Sequence, residues 1–154
     1  MAVAVGKKVP AFSAASTGDG KISSKDLAGH PYVLYFYPRD DTPGCTLEGQ
    51  GFRDQQAKFT KLGVRVIGVS RDTLASHDKF RQKYSLPFDL ISDPDEKLCR
   101  QFDVIREKNM YGKKVLGIER STFLVDAEGV LRREWRKVKV DGHVDAVLEA
   151  AQAL

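Results

Sequence analysis

The stretch Pro31-Tyr32-Val33-Leu34-Tyr35-Phe36-Tyr37-Pro38 constrains this chain more than any other. An apolar, aromatic run closed by a proline has no polar face to offer water, and it reads as a strand buried on both sides. The text then passes through an acidic turn containing Pro43 and Gly44. After it, Leu47, Phe52, Phe59 and Leu62 recur at close to helical spacing, and Gly63 is a good C-cap. Cys45 therefore falls at or just inside the N-terminus of a helix predicted to run to about Leu62. Unpaired backbone N–H groups and the helix dipole favour an anion at that place. A thiol there is biased toward the thiolate, which makes Cys45 a candidate nucleophile.

The alternation continues along the chain. Residues 9–12 form an extended entry, and Thr17-Gly18-Asp19-Gly20 is a turn. Within residues 22–27, Ser24-Lys25-Asp26-Leu27 fits either a short strand end or a helical turn. Residues 64–70 are β-branched and apolar, a second buried strand. Asp72 or Thr73 caps a helix carrying Leu74, Phe80 and Tyr84, and residues 88–91 form a short strand after Pro87. Ser92-Asp93-Pro94-Asp95-Glu96 starts a helix with Leu98, Phe102 and Cys99 turned inward. The polar residues 106–114 read as a surface loop. Residues 120–126 and 130–138 form a hairpin turning at Glu128-Gly129, and residues 141–154 an amphipathic helix. Strand–helix units followed by a hairpin predict an α/β three-layer sandwich. Its central sheet should be mixed, with parallel pairing early and antiparallel pairing late. The 154 residues fit one domain, with no linker or internal repeat.

Composition excludes several function classes. The chain is 42% hydrophobic and 30% charged, as expected of a soluble globular protein. No apolar run approaches the ~20 residues of a membrane span. No basic start precedes a long apolar region, so no secretory signal is expected and the cytoplasm is the expected compartment. The net charge of +4 is spread among acids, which suits a solvated surface better than a nucleic-acid footprint. Two cysteines in such a chain suit thiols or a catalytic pair better than a structural staple. His30, His77 and His143 match no ligand spacing, and neither metal nor other cofactor is called for.

The chemistry concentrates in Pro38-x-x-x-Thr42-x-x-Cys45. The Thr42 hydroxyl can donate to a thiolate or to a substrate oxygen, and Pro38 and Pro43 stiffen the turn and can shield the sulfur. Glu48, one turn into the helix, could anchor an arginine or simply be a favourable first-turn acid. A Cys-x-x-Cys oxidoreductase is disfavoured, because Glu48 stands where its second cysteine would be. A redox sensor or a nucleic-acid-binding protein has only the charge balance behind it.

This stretch resembles the peroxiredoxin signature, and Phe36-Tyr37-Pro38 with Asp40-Asp41-Thr42-Pro43-Gly44-Cys45-Thr46 resembles its bacterioferritin comigratory protein (PrxQ) branch. Gly68-Val69-Ser70, Leu90-Ile91-Ser92-Asp93 and residues 117–124 are similar to that branch in the same order. The resemblance implies a thioredoxin-like fold with peroxiredoxin additions, and thiol-dependent reduction of hydrogen peroxide and organic hydroperoxides. It makes Cys45 the peroxidatic cysteine, Pro38 its shield, Thr42 its hydrogen-bond partner and Arg120 the distant arginine beside the thiolate. It implies a monomer using thioredoxin, glutaredoxin or a small thiol as reductant, with no membrane or nucleic-acid partner.

Many members carry a resolving cysteine five residues after the first, where this chain has Gln50. Others carry one on the helix near residues 81–85, where this chain has none. Cys99 is the other thiol. If it is a core residue, an external thiol must reduce the sulfenic acid in a one-cysteine cycle. If it resolves, a Cys45–Cys99 disulfide requires local unfolding.

Overall fold

The protein is described here by a computed structural model covering residues 3–18 and 20–154. Asp19, in the middle of the turn expected at Thr17-Gly18-Asp19-Gly20, lies outside the described residues; Gly18 and Gly20 on either side have φ of 77° and 85°. In chain order the elements are β1 (Ser13–Ser16), β2 (Lys21–Ser23), α1 (Ser24–Leu27), β3 (Tyr32–Phe36), α2 (Pro43–Asp54), α3 (Gln56–Lys61) and β4 (Arg65–Ser70). They continue with α4 (Leu74–Tyr84), β5 (Asp89–Ser92), α5 (Lys97–Gln101), β6 (Ile105–Met110), β7 (Lys113–Ile118), β8 (Ser121–Val125), β9 (Leu131–Trp135) and α6 (His143–Gln152).

A seven-stranded sheet runs β2-β1-β5-β4-β3-β8-β9. β3, β4 and β5 are parallel, while β1, β2, β8 and β9 join antiparallel, so the sheet is mixed as the alternation predicts. All five residues of β3 are buried, as a central strand covered on both faces requires. Its side chains alternate between two apolar layers. Tyr32, Leu34 and Phe36 join Ile67, Val69, Phe123, Leu98 and Cys99 on one side. Val33, Tyr35 and Tyr37 join Cys45, Phe52, Phe80, Leu90 and Val147 on the other. This is the three-layer α/β arrangement, and no helix among the described residues is long and apolar enough to cross a membrane.

Packing over β3 has little tolerance. The rings of Tyr35 and Phe52 stack at 4.7 Å, a pair worth about 1 kcal/mol beyond its buried area. Gly68 makes room for that ring, because a Cβ there would lie 2.7 Å from Leu90 Cδ2 and 2.9 Å from Tyr35 Cζ.

Two expectations need correction, and one strand was not expected at all. Residues 106–114 are not a loop: β6 and β7 pair antiparallel through a two-residue turn, Tyr111-Gly112, with φ of 52° and 78°. Residues 109–116 around its turn are exposed and burial returns only at Gly117 and Ile118, so no hydrophobic alternation marks the strands. The helix after Cys45 does not run unbroken to Leu62. At Gln55 the N–H is shared between Gly51 and Phe52 carbonyls, and α3 starts anew. Residues 13–16, beyond the extended entry, form β1, which pairs with both β2 and β5. Its small residues Ser13-Ala14-Ala15-Ser16 carry no strand signature. Elsewhere Thr73 is the N-cap of α4, accepting from the Ser76 N–H at 3.2 Å, and Ser24–Leu27 takes the helical-turn reading, as α1 directly after β2.

Candidate active site

Cys45 sits in the first turn of α2, with Thr42 as N-cap and Pro43 as the first helical residue. Proline carries no N–H, so the open backbone donors at this end are those of Gly44 and Cys45, and they face whatever approaches the sulfur. The residue is 2% exposed, packed beside Tyr35, Tyr37 and Phe52. A thiolate in that setting needs donors, and the sheet supplies one. Arg120 precedes β8, which runs antiparallel to β3 with Ser121 opposite Phe36. That register puts the start of β8 beside the end of β3, and so brings Arg120 to a cysteine 75 positions away. The Val138 N–H donates to the Arg120 carbonyl at 3.0 Å and holds its backbone.

The Arg120 guanidinium bridges two acceptors. Nη2 donates to Cys45 Sγ at 3.4 Å, and Nη1 donates to Glu48 Oε1 at 2.7 Å. Gly44 permits this approach, because a Cβ on it would stand 3.1 Å from Nη2. Glu48 is wholly buried one turn along α2. Burial pushes its carboxyl up to about 7, against the pull of Arg120. Of the two sequence readings of Glu48, the arginine anchor is the one the geometry realises.

The other expected residues fall as follows. Thr42 Oγ1 donates to the Arg39 carbonyl at 2.9 Å, so donation to Cys45 or to a bound oxygen requires the hydroxyl to give up that bond. Pro38 is half-buried at the end of the run after β3, at the mouth of the same turn. Cys99 is not brought to the site. It is fully buried in the apolar layer on the opposite side of the sheet from Cys45, and its thiol is raised by burial and by the carboxylate of Asp93.

Several neighbours have no role in the sequence reading. His143, at the start of α6, places Nε2 2.8 Å from Thr122 Oγ1 and 3.9 Å from Glu48 Oε2. Its local signal is its position four residues before Val147 on the apolar stripe of α6, where a polar residue is out of place. Lys108 of β6 donates to the Ile118 carbonyl, and burial with the nearby Arg120 charge lowers its ammonium from its usual range. Behind the turn, Asp40 accepts from Tyr37 OH at 2.6 Å and Ser76 Oγ at 2.7 Å, and pairs with His77 Nδ1 at 2.7 Å. His77 Nε2 donates to the Ile91 carbonyl at 2.9 Å, and the Asp40 N–H donates to Asp72 at 2.8 Å. Asp40, Asp72 and His77 offer ligand atoms within 4.8 Å of one another. Each is already committed to these bonds, which tie the turn before Cys45 to α4, β4 and β5.

A mixed sheet, a buried cysteine at a helix N-terminus and a guanidinium on its sulfur define a thiol-based redox enzyme on a thioredoxin-like frame. The chain belongs to the AhpC/TSA family, whose model matches residues 5–134. It is 60% identical to Peroxiredoxin Bcp of Xanthomonas campestris over 89% of this chain and 86% of that one. With Peroxiredoxin Bcp of Bacillus subtilis the identity is 46%, over 97% and 95%. Among solved structures, Peroxiredoxin Q of Xanthomonas campestris superposes with a TM-score of 0.88 at 54% identity, covering 92% of this chain and 90% of that chain. A Xylella fastidiosa PrxQ mutant superposes with a TM-score of 0.93 at 39% identity, over 99% and 98%. The protein is a peroxiredoxin of the Bcp/PrxQ kind, a thiol peroxidase.

Proposed function

We propose that Cys45 is the peroxidatic cysteine and works in a one-cysteine cycle completed by an external thiol. The observation that carries this reading is the Arg120 bridge between a buried Cys45 sulfur and Glu48. Arg120 and the α2 N-terminus present donors to the sulfur and to the peroxide oxygens. The thiolate attacks the nearer oxygen in line. An S–O bond forms as the O–O bond breaks, and sulfur is oxidised to sulfenic acid. The departing alkoxide or hydroxide takes a proton from solvent and leaves as alcohol or water. Thr42 serves as a further donor to the bound oxygens once it releases Arg39, and Pro38 limits water at the sulfur.

The second half follows from where the thiols lie. Cys99 is buried across the sheet from Cys45, and joining them would require dismantling one apolar layer. An external thiol instead condenses with the sulfenic acid to a mixed disulfide and water. A second thiol then releases Cys45 as thiol and leaves the reductant as a disulfide. Thioredoxin, glutaredoxin and small thiols all meet that need, and the cycle requires only one copy of the chain. Organic hydroperoxides belong with hydrogen peroxide as substrates. A solved Xanthomonas campestris bacterioferritin comigratory protein is described by its alkyl peroxide reduction activity.

Intact mass after one equivalent of peroxide, with dimedone present, tests the reading on wild type, Cys45→Ser and Cys99→Ser. The expected result is a dimedone adduct that requires Cys45 and is unchanged by Cys99→Ser. Loss of two hydrogens abolished by either substitution would make Cys99 the resolving thiol and overturn the one-cysteine cycle. Peroxidase turnover surviving Cys45→Ser would overturn the assignment of Cys45.

A further inference from the structure

The last helix brings to the site a side chain that the chemistry above does not use. His143 is nearly buried, and its ring is fixed edge-on against Phe52 at 6.4 Å and Trp135 at 5.9 Å. Its Nε2 lies between Thr122 Oγ1 at 2.8 Å and Glu48 Oε2 at 3.9 Å. That Glu48 oxygen is buried and has no hydrogen-bond partner among the described residues, whereas Oε1 is taken by Arg120. Titratable groups stand around this carboxyl on several elements. They are Arg120 before β8, His143 on α6, Tyr35 on β3 and Cys45 on its own helix. Tyr35 OH is likewise buried without a partner among the described residues.

We propose that His143 is a positioning residue of the peroxidatic site. Its Nε2–H, shared between Thr122 and Glu48 Oε2, holds the carboxylate ionised and aimed at Arg120, whose second nitrogen is thereby held on Cys45 Sγ. The inference rests on Cys45 being the reactive cysteine. The separation of 3.9 Å exceeds a hydrogen bond, so the proposal requires the two side chains to close on each other when Glu48 carries charge. Two tendencies support the arrangement. Burial, with the nearby Arg120 charge, lowers His143 to about 4, so at neutral pH it is a neutral donor, not a competing cation. Burial pushes Glu48 up to about 7, so an extra donor on Oε2 favours its ionised form at neutral pH. A protonated Glu48 keeps only a neutral oxygen for Arg120, and so loses the attraction between opposite charges that holds the guanidinium in place.

The test is the rate of Cys45 alkylation by iodoacetamide from about pH 5 to about pH 9, in full-length chain carrying Cys99→Ala so that one thiol reports. Wild type is expected to show, besides the limb of the thiol itself, a step near pH 7 belonging to Glu48. Glu48→Gln removes that step. His143→Leu raises it by about one pH unit, a tenfold change in the Glu48 ionisation equilibrium. His143→Gln retains an N–H donor and leaves the step in place. In the Glu48→Gln background, His143→Leu adds nothing.

Coincidence of the Leu and wild-type profiles would overturn the proposal. So would equal displacement by Leu and Gln, because packing alone predicts that result. Circular dichroism checks folding, and His143→Asn, whose amide cannot reach both partners, replaces Leu if Leu does not fold. Alkylation needs no peroxide. Failure of the peroxidase assignment would show as turnover in Cys45→Ser, and would leave this readout intact.

Discussion

Glu48→Gln separates what the buried carboxylate does for reactivity from what it costs in stability. The side chain is wholly buried, and its carboxyl titrates at about 7 in the folded protein against 4.5 for the ordinary group. An acid raised in this way binds more protons folded than unfolded between those two values. Its contribution to stability is therefore full below about pH 4.5 and is lost as pH rises through about 7. A gap of about 2.5 pH units at about 1.4 kcal/mol per unit gives ~3 kcal/mol lost at alkaline pH. The glutamine amide has the same shape, still accepts from Arg120 and pays no ionisation penalty, although it leaves a mostly buried guanidinium without a counter-charge. Breaking a buried ion pair at one partner ordinarily costs several kcal/mol, but the value of about 7 already includes the pull of Arg120, so the net gain at pH 8 should be at most about 3 kcal/mol. For a chain of this size that raises Tm by roughly 2–4 °C per kcal/mol.

Thermal melts of both proteins at about pH 5 and about pH 8 measure the effect. The advantage of the variant should be small at the lower pH and grow toward the higher. His143, lowered to about 4 from 6.5, acts in the opposite sense, because its contribution is full above about 6.5 and is lost as pH falls through about 4. It is present in both proteins and cancels in their difference to first order. A difference in Tm that is flat with pH, or that favours wild type more as pH rises, would refute the reasoning. Peroxidase activity should fall in the same variant even as stability rises.

Gly44→Ala should cut peroxidase activity with little change in Tm. Its Cβ would stand 3.1 Å from Arg120 Nη2 and push the guanidinium off the sulfur; steady-state turnover with hydrogen peroxide reads this directly. Gly68→Ala overpacks the layer under Tyr35, at 2.7 Å from Leu90 Cδ2, and should cost about 1–3 kcal/mol as a lower urea midpoint. Thr73→Ala removes the N-cap bond to Ser76 and should cost about 1 kcal/mol by the same measurement, with no effect on peroxide turnover.

The fold class was legible because it depends on periodicity. The continuous apolar run of β3, the β-branched β4 and the stripe of α6 each announce themselves within a dozen residues. What escaped were segments whose burial does not alternate. The β6–β7 hairpin exposes Met110 and Leu116, which lie on opposite strands, as freely as its lysines, so no face is marked. β1 is built of serine and alanine and owes its strand form to pairing with β5, not to propensity.

The site divides along a different line. Cys45, Pro38 and Thr42 lie within one turn of sequence, and their chemistry follows from being near a helix N-terminus. Arg120 and His143 arrive through register and helix packing, which no local pattern encodes. Arg120 reaches the sulfur because Phe36 pairs with Ser121, and a slip of one residue in that ladder would turn the β8 side chains to the wrong layer. Register here is set by burial of Phe123 on one face and Leu124 on the other. The same apolar alternation that secures the core therefore fixes the guanidinium to within hydrogen-bond reach of the thiol. His143 depends on α6 lying back over α2, with Val144 so close to Gly51 that a Cβ there would stand 2.9 Å from Val144 Cγ2. A bulkier residue at Gly51 should lift α6 and carry His143 away from Glu48, so a packing change outside the motif should alter the behaviour of Cys45 without touching any residue that contacts its sulfur.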